Sequence, residues 1–580
     1  MRSAARLGAA SSALRRGPCP RCCAAGPAAL RLRPLSAAAA AAGQKQKQKQ
    51  LKKNKKKGGG GAGGKKRPND LADIDADFGQ WYLDVLREAE LADHGPVRGT
   101  VVLRPYGFAI WELLQEQLDA RMKANGVQNV YLPSLLPMSF IAKEADHVEG
   151  FAPELATVTH AGGKELAESL VIRPTSETSV NWCMERWISS YRDLPLRLNQ
   201  WVNVVRWEKR PRLLLRNSEF LWHEGHTAHA TADEAEAEAV GNVRMYTDVA
   251  RNVCALGVVT GVKSPRETFA GASHSYTIEA HMGDGRALQA GTSHNLGQNF
   301  AKAFDVTFTD ADGVSSPVHQ TSFGVSTRMV GAVVMGHGDA KGLRLPPALA
   351  PIQVVIVPIA PKAKSSADAA AIAEAEAAAA GVATAAAELA AALAATGVRC
   401  KVDSDPFQSP GWKFNHWEMK GVPLRVDVGP RDVAAGAAPM SRRDGRDGAS
   451  VTLGDTAAAA GTVCSTLDDI AVLMLADAED RLTGAISDVE SYDGLLAMWG
   501  AAVDEDGSLD DGTRGHRWAR VWWDGDARDE EALQKATGAT LRCMPLAEDA
   551  RGCDASSGEG GECVATGRKT QRRAIFAKAY

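Results

Sequence analysis

From Phe78 to Leu91 the apolar residues Phe78, Trp81, Tyr82, Val85 and Leu86 recur at helical spacing. That period predicts an amphipathic helix packed on a core. A second, longer helix is expected from Ile110 to Ala124. Residues 199–208 and 219–231 alternate instead with the period of two that marks strands. Past Pro351 the pattern changes again. Three short apolar runs, Val354–Ile359, Val398–Val402 and Leu424–Val428, are separated by helical stretches, of which the Ala-rich segment 366–396 is one. Such alternation predicts an α/β domain. Residues 456–580 read as a further unit, with a helix at Leu467–Leu475 and a core strand at Val521-Trp522-Trp523. No run of about 18 apolar residues occurs, and the Ala-rich stretches hold little Leu, Ile or Phe. No membrane-spanning helix is therefore expected.

A chain of 580 residues exceeds what one core can serve. It implies roughly three to four domains. Charge adds a boundary near Asp70, where order should begin. Residues 1–69 hold 18 Lys and Arg and no acid, so the net charge of −3 conceals a body with 49 basic and 70 acidic residues. A nucleic-acid partner would have to meet a local basic patch on that acidic body. Within residues 1–43, Arg2, Arg6, Arg15, Arg16, Arg21, Arg31 and Arg33 stand among Ala and Ser. This composition reads as an organellar transit peptide for a mitochondrion or plastid. A plain basic arm, leaving the protein cytoplasmic, is the alternative. Residues 44–69 form a Lys/Gly-rich linker. The linker nearly spells a phosphate-binding loop at Gly59-x4-Gly64-Lys65, but Lys66 replaces the needed Ser or Thr and no strand precedes it. Ten Cys are scattered without the density of a secreted disulfide scaffold. Cys19 and Cys22 have metal-like spacing without a second pair nearby.

The densest chemistry lies between Gln200 and Thr231. The first strand carries Arg206, Trp207 and Glu208; the connecting loop carries Arg210, Arg212 and Arg216. On the second strand Phe220, Trp222, Glu224 and His226 share one face. His223 and His229 point the other way, which disfavours a metal site built with His226. A surface with cations, carboxylates, an imidazole and two aromatics suits an anionic substrate, because the guanidinium fork matches phosphoryl and carboxylate oxygens. A solvated hairpin with ordinary core aromatics is the bland alternative.

These residues resemble a known family. Arg206-Trp-Glu208, then Arg216-Asn-Ser-Glu219-Phe-Leu-Trp-His-Glu-Gly-His226, looks like motif 2 of class II aminoacyl-tRNA synthetases, in the form seen in prolyl-tRNA synthetases of the eukaryotic and archaeal type. Arg173-Pro-Thr-Ser-Glu-Thr178 is similar to that family's proline-binding loop. Gly291-Thr-Ser-His294 with Leu296-Gly-Gln-Asn-Phe300, Gly324-Val-Ser-Thr-Arg328 with His337-Gly-Asp339, and Ser409–Trp417 with Gly429-Pro-Arg-Asp432 extend the likeness from about residue 71 to the end. The resemblance implies an α+β chain: a class II antiparallel-sheet catalytic domain (70–350), an α/β anticodon-binding domain (351–455) and an α+β C-terminal domain (456–580). It also implies activation of L-proline by ATP with Mg²⁺ and transfer to tRNA(Pro), and a homodimer formed through the helix from Ile110 and the strand ending at Pro133.

Carried over residue by residue, the resemblance makes Arg206 and Arg328 catalytic. It assigns proline to Thr175, Glu177, Arg206, Phe220, Trp222, Glu224, His226 and His294. It assigns ATP to Arg206, Glu208, Arg216, Asn217, Phe220, Gln289, Thr292, Ser326 and Arg328, with Phe220 stacking on adenine. No dedicated metal site is implied; Mg²⁺ would arrive on ATP and touch Gln289 at most. The chain departs from the pattern in places. Ala290 stands where Gly is common, and Asn217 where Thr is usual. Asp524 and Asp529 fall where many relatives have zinc-binding Cys, and only Cys563 remains of the last pair, so no zinc is expected. About 100 positions separate His226 from Arg328, too few for the large editing insertion of bacterial relatives. A class II synthetase for another amino acid and an inactive RNA-binding paralogue remain alternatives.

Overall fold

The computed structural model describes residues 71–143, 155–361, 367–499, 516–549 and 560–580. The expected transit peptide and linker, the Cys19–Cys22 pair, the Gly59–Lys65 run and Cys553 lie outside the described residues.

The first helix is Phe78–Glu88, capped by Asp77, whose side chain accepts from Gln80 N at 2.9 Å. Trp81, Val85 and Leu86 are fully buried, as their spacing predicts. The helix stops short of the expected Leu91 because Glu90 adopts a left-handed conformation (φ 60°) and Leu91 N turns back to Leu86 O. The second helix starts earlier than expected, spanning Pro105–Ala124. Pro105 at its first position has no N–H to leave unpaired.

Eleven strands form the main sheet. In chain order they are β1 (Gln128–Asn129), β2 (Leu196–Val205), β3 (Glu219–His229), β4 (Val258–Val262), β5 (His274–His281), β6 (Ala287–Gly297), β7 (His319–Ser326), β8 (Ile486–Asp488), β9 (Trp518–Trp522), β10 (Thr540–Pro545) and β11 (Arg573–Ala577). Across the sheet the order is β8-β9-β11-β10-β4-β5-β6-β7-β3-β2-β1. Pairing is antiparallel except at the two ends, β8 with β9 and β1 with β2. The buried Val243, Tyr246 and Phe323 and the helix Arg328–His337 belong to the core behind this sheet.

The α/β domain is a five-stranded mixed sheet. Its second strand, Val354–Pro358, runs parallel to the edge strand Cys400–Val402 on one side and to the central strand Leu424–Val428 on the other. Two helices, Ala369–Ala395 and Thr456–Ala485, are long and apolar enough to cross a membrane by length and composition. This corrects the expectation of none, since Ala and Val raise the average even where Leu and Phe are sparse. Both serve as core helices here: Val382, Ala386, Leu389 and Leu393 of the first join Val463, Leu467 and Ile470 of the second in one apolar cluster.

The C-terminal unit differs from expectation in its helix. The helix expected at Leu467–Leu475 runs from Thr456 to Ala485, and its first half packs into the α/β core, across the expected boundary at 455/456. The unit's strands β8–β11, which the sequence left unpaired, lie in the main sheet. Strand β10 pairs with β4, so they continue the main sheet. The chain end is sewn in as well: Ala287 N donates to Lys578 O and Tyr580 N donates to Ala287 O.

Candidate active site

One face of β3, flanked by β2 and β7, supplies the floor of the site. Register sets Gln200 and Gly324 on either side of Glu224, and Val202 and Ser326 on either side of Trp222. The expected alternation holds. Trp222, Glu224 and His226 face the site, while His223 turns into the core against Asn199 and Tyr246.

A cavity of about 210 Å³ opens on this floor. It is lined by Thr175, Glu177, Arg206, Trp222, Glu224, Gln289, Thr292 and His294, all singled out from sequence, and by Lys263, Glu267, Phe269 and Ser322, which were not. The volume is below the roughly 300–1,000 Å³ of pockets for drug-sized ligands and suits a small amino acid beside part of a nucleotide.

Two residues three apart, Gln289 and Thr292, reach the same cavity because β6 carries a bulge. Ile278 pairs with Gly291 but Glu279 pairs with Gln289, leaving Ala290 as the extra residue. A regular strand would send Gln289 and Thr292 to opposite faces. The sequence departure at Ala290 thus falls at the bulge itself.

Glu177 opens the helix Glu177–Trp187, where the N-terminal dipole favours a carboxylate. The Thr175 hydroxyl lies 2.5 Å from Glu177 Oε2 and 2.8 Å from Glu224 Oε1, so its single proton serves one acid at a time. Glu224 is held from behind by Ser176 N at 2.6 Å and Gln200 Nε2 at 3.2 Å, and His226 Nε2 lies 3.3 Å away. Burial alone would raise the Glu224 carboxyl; the charge of His226 and these hydrogen bonds outweigh it and hold the group at about 2. Burial alone would lower His226, but the Glu224 charge keeps it above the ordinary histidine range. Each of this buried pair thus favours the charged form of the other, and Glu224 holds Thr175 in place.

His294 behaves oppositely. Burial, with Lys263 and Arg206 nearby, lowers it to about 3, so it is neutral at physiological pH. It stacks on Phe269 at 4.7 Å between ring centroids, and its Nδ1 lies 2.7 Å from Ser275 Oγ. Trp222, Phe269 and His294 together make an aromatic enclosure.

Arg206 stands just past the end of β2. Its Nε donates to Pro174 O at 2.9 Å, and its cation lies 5.2 Å from the Trp222 ring and 5.7 Å from that of Phe220. Arg328 donates to Leu215 O at 2.8 Å and to Gln289 O at 3.2 Å, and burial followed by repulsion from Arg216 and Arg206 lowers it to about 10. It stays charged at neutral pH. Glu208 lies 3.7 Å from the exposed Arg216, and Ser326 Oγ accepts from Arg328 N. Phe220 and Asn217 face a neighbouring cavity of about 340 Å³ with Thr327, Leu221 and Phe108. The sequence-selected residues thus divide into an amino-acid-sized cavity and a cationic rim.

Among the missed residues, Lys263, Glu267 and Phe269 sit on the irregular segment after β4, where neither period of two nor of 3.6 marks a face. A run of Lys-Ser-Pro-Arg-Glu-Thr-Phe between two strands was the available signal.

Comparison with known proteins agrees with this geometry. Residues 157–337 match the tRNA synthetase class II core domain (G, H, P, S and T), residues 353–460 the anticodon binding domain, and residues 512–580 the prolyl-tRNA synthetase C-terminal domain. The chain is 49% identical over 507 residues to the chloroplastic/mitochondrial proline–tRNA ligase of Arabidopsis thaliana, covering 87% of each chain. It is 47% identical to the proline–tRNA ligase of Chloroflexus aurantiacus, covering 87% of this chain and 98% of that one. Among solved structures, prolyl-tRNA synthetase from Cryptosporidium parvum with halofuginone and AMPPNP aligns with a TM-score of 0.77 at 34% identity, covering 88% of this chain and 97% of that one. The same enzyme with L-proline and AMP aligns with a TM-score of 0.75 at 33% identity, covering 88% and 99%. With its sheet, its floor of paired charges and all three domains matched in order, this chain belongs to the prolyl-tRNA synthetase family of class II.

Proposed function

We propose that the chain activates L-proline with ATP and transfers the prolyl group to tRNA. The observation that carries this reading is the cavity itself, a small aromatic enclosure lined also by carboxylates, a hydroxyl and a guanidinium. A pyrrolidine ring wants apolar walls, which Trp222, Phe269 and His294 provide. Its secondary ammonium has two N–H donors, and Glu177 and Thr175 are the acceptors. Arg206 holds the substrate carboxylate, one oxygen of which attacks the α-phosphate of ATP as pyrophosphate leaves. Charge grows on the phosphoryl oxygens in that step, and cations already fixed in place stabilise it without reorganising. Arg206 and Arg328 are fixed in this way, each braced by backbone carbonyls. In the second step a ribose hydroxyl of tRNA attacks the activated carbonyl and AMP leaves.

Mg²⁺ accompanies ATP in this reading. The ion would be carried by the phosphates and would touch the protein at the Gln289 amide at most. Bound there, the ion would supply charge neutralisation of the triphosphate. The C-terminal domain is read as zinc-free. Asp524 pairs with Arg568 at 3.0 Å, Asp529 Oδ2 accepts Asp526 N at 2.9 Å, and Cys563 Sγ accepts Asp524 N at 3.2 Å. Elemental analysis of the purified protein checks this; a stoichiometric zinc refutes it.

Three finer points belong to the same proposal. The short interval between motifs 2 and 3 and the matched C-terminal domain support the eukaryotic and archaeal type, while the relative from Chloroflexus aurantiacus at 47% identity is bacterial. The acid-free N-terminal arm supports import into an organelle, as the name of the Arabidopsis relative suggests. A homodimer is supported by β1 at the sheet edge, with Tyr131 beyond it 75% exposed; sedimentation at micromolar protein tests it, and a monomer refutes it. For tRNA, exposed Phe407 and Trp412 in the anticodon-binding domain offer rings for stacking bases. Proline-dependent ATP–pyrophosphate exchange, run against a panel of amino acids, tests the whole reading. Preference for another amino acid, or no exchange at all, would return it to one of the two alternatives.

A further inference from the structure

One side chain of the C-terminal domain is buried against a strand of the catalytic sheet next to the site. Arg542, on β10, is buried; its Nε and Nη2 both donate to Glu279 Oε2, at 3.0 and 2.8 Å, and its Nη1 donates to Thr540 Oγ1 at 2.9 Å. Glu279, on β5, is fully buried, and its other oxygen accepts from Thr277 Oγ1 at 2.9 Å. Register places Glu279 opposite Gln289 at the bulge, and Gln289 O is held by Arg328. Lys263, just past β4, lines the cavity and is buried, with Glu267 3.9 Å away. A single buried carboxylate therefore lies among three cations, two of them in the site and one brought by another domain.

We infer that Arg542 is a positioning residue for the chemistry of the site: by occupying the Glu279 carboxylate from the C-terminal side, it leaves Lys263 and Arg328 directed at the substrate. The physical reason is the behaviour of a buried pair when one partner is removed. The remaining charge cannot be solvated and must find another counter-ion. For Glu279 the candidates are Lys263 and Arg328, whose charged forms it favours. Either would be drawn toward Glu279 and away from the carboxylate and phosphate oxygens of the reaction. This inference rests on the proline-activation reading. It assigns the C-terminal domain a part in the adenylation step, beyond stability.

The test uses the full chain. Proline-dependent pyrophosphate exchange and thermal midpoints are measured for wild type, R542Q, R542K and R542Q/E279Q. We expect R542Q to lower kcat at least about tenfold while the KM for proline moves less than about threefold. The double variant, which removes the orphaned charge, should recover most of that loss. R542K, which keeps a cation at the position, should hold kcat within about threefold of wild type. A folded R542Q with wild-type kcat, a loss confined to KM, or a double variant as impaired as the single one would overturn the inference. If R542Q does not fold, R542K decides: a tenfold loss in folded R542K overturns it and retained kcat supports it. Wild type that fails to exchange proline at all would instead refute the functional reading.

Discussion

Among single residues, Arg206 carries the sharpest expectation. It lies against two aromatic rings, with Nε committed to Pro174 O. In the proposed reaction its charge is thereby fixed where the oxyanion develops. Replacing it by Ala should reduce proline-dependent pyrophosphate exchange by about 10²–10³ with little change in the melting midpoint. Near wild-type exchange by a folded R206A protein would remove this hairpin from the catalytic role. Glu224 illustrates a different kind of site residue. It lines the cavity, but its oxygens are claimed by Ser176 N, Gln200, Thr175 and His226. It holds Thr175 and the loop before Glu177, and in the proposed reaction Glu177 is the acid that meets the ammonium.

At the scale of elements, the join between β10 and β4 matters most. Without the C-terminal strands, β4 becomes a sheet edge with unpaired N–H and C=O groups, next to Lys263 and the segment bearing Phe269. An exposed edge of this kind invites pairing with other chains. Truncation after residue 485 should therefore give a protein that associates in size-exclusion chromatography and exchanges no pyrophosphate. A monodisperse, active truncation would show that the four strands are an appendage. The bulge at Ala290 acts at the same scale, since one extra residue in β6 decides that Gln289 and Thr292 face one cavity.

For the whole molecule, buried histidines set the response to acid. Burial lowers His223, His294 and His337 to about 3, and His229 and His281 to about 4, from an ordinary 6.5. The unfolded chain takes up protons at these five positions below pH 6.5 while the folded chain does not. Stability from them is thus present above 6.5 and lost as pH falls toward 4, at about 1.4 kcal/mol per pH unit for each proton. His226 opposes this trend, because its value is raised by Glu224. The calorimetric midpoint should fall between pH 7.5 and 5, with net proton uptake on unfolding; a flat or rising midpoint would contradict the assignment. Import also belongs to this scale. Residues 1–69 fused to a fluorescent reporter should direct it to an organelle, and a diffuse cytosolic signal would leave the segment as a basic arm.

Local periodicity was enough to find the first helix, the β2–β3 hairpin and the parallel strands of the α/β domain. Each is specified by a repeat that the chain carries within ten to twenty residues. The facing of Trp222, Glu224 and His226 away from His223 follows from alternation alone, and motif likeness supplied the eight cavity residues that sequence reading named. Tertiary structure decided the rest, for a physical reason that recurs. Lys263 and Phe269 lie on an irregular segment, so only packing aims them. The bulge at Ala290 is a property of pairing between β5 and β6, and no single-strand pattern records it. The helix from Thr456 packs across the boundary that the resemblance set at 455/456, because an Ala-rich face can complete a neighbour's core as readily as its own. The C-terminal strands look like a separate sheet until β10 meets β4, a partner nearly 300 positions away in sequence. Arg542 and Glu279 are equally distant along the chain. Nothing near either residue indicates the other, and only the closed sheet makes them a pair.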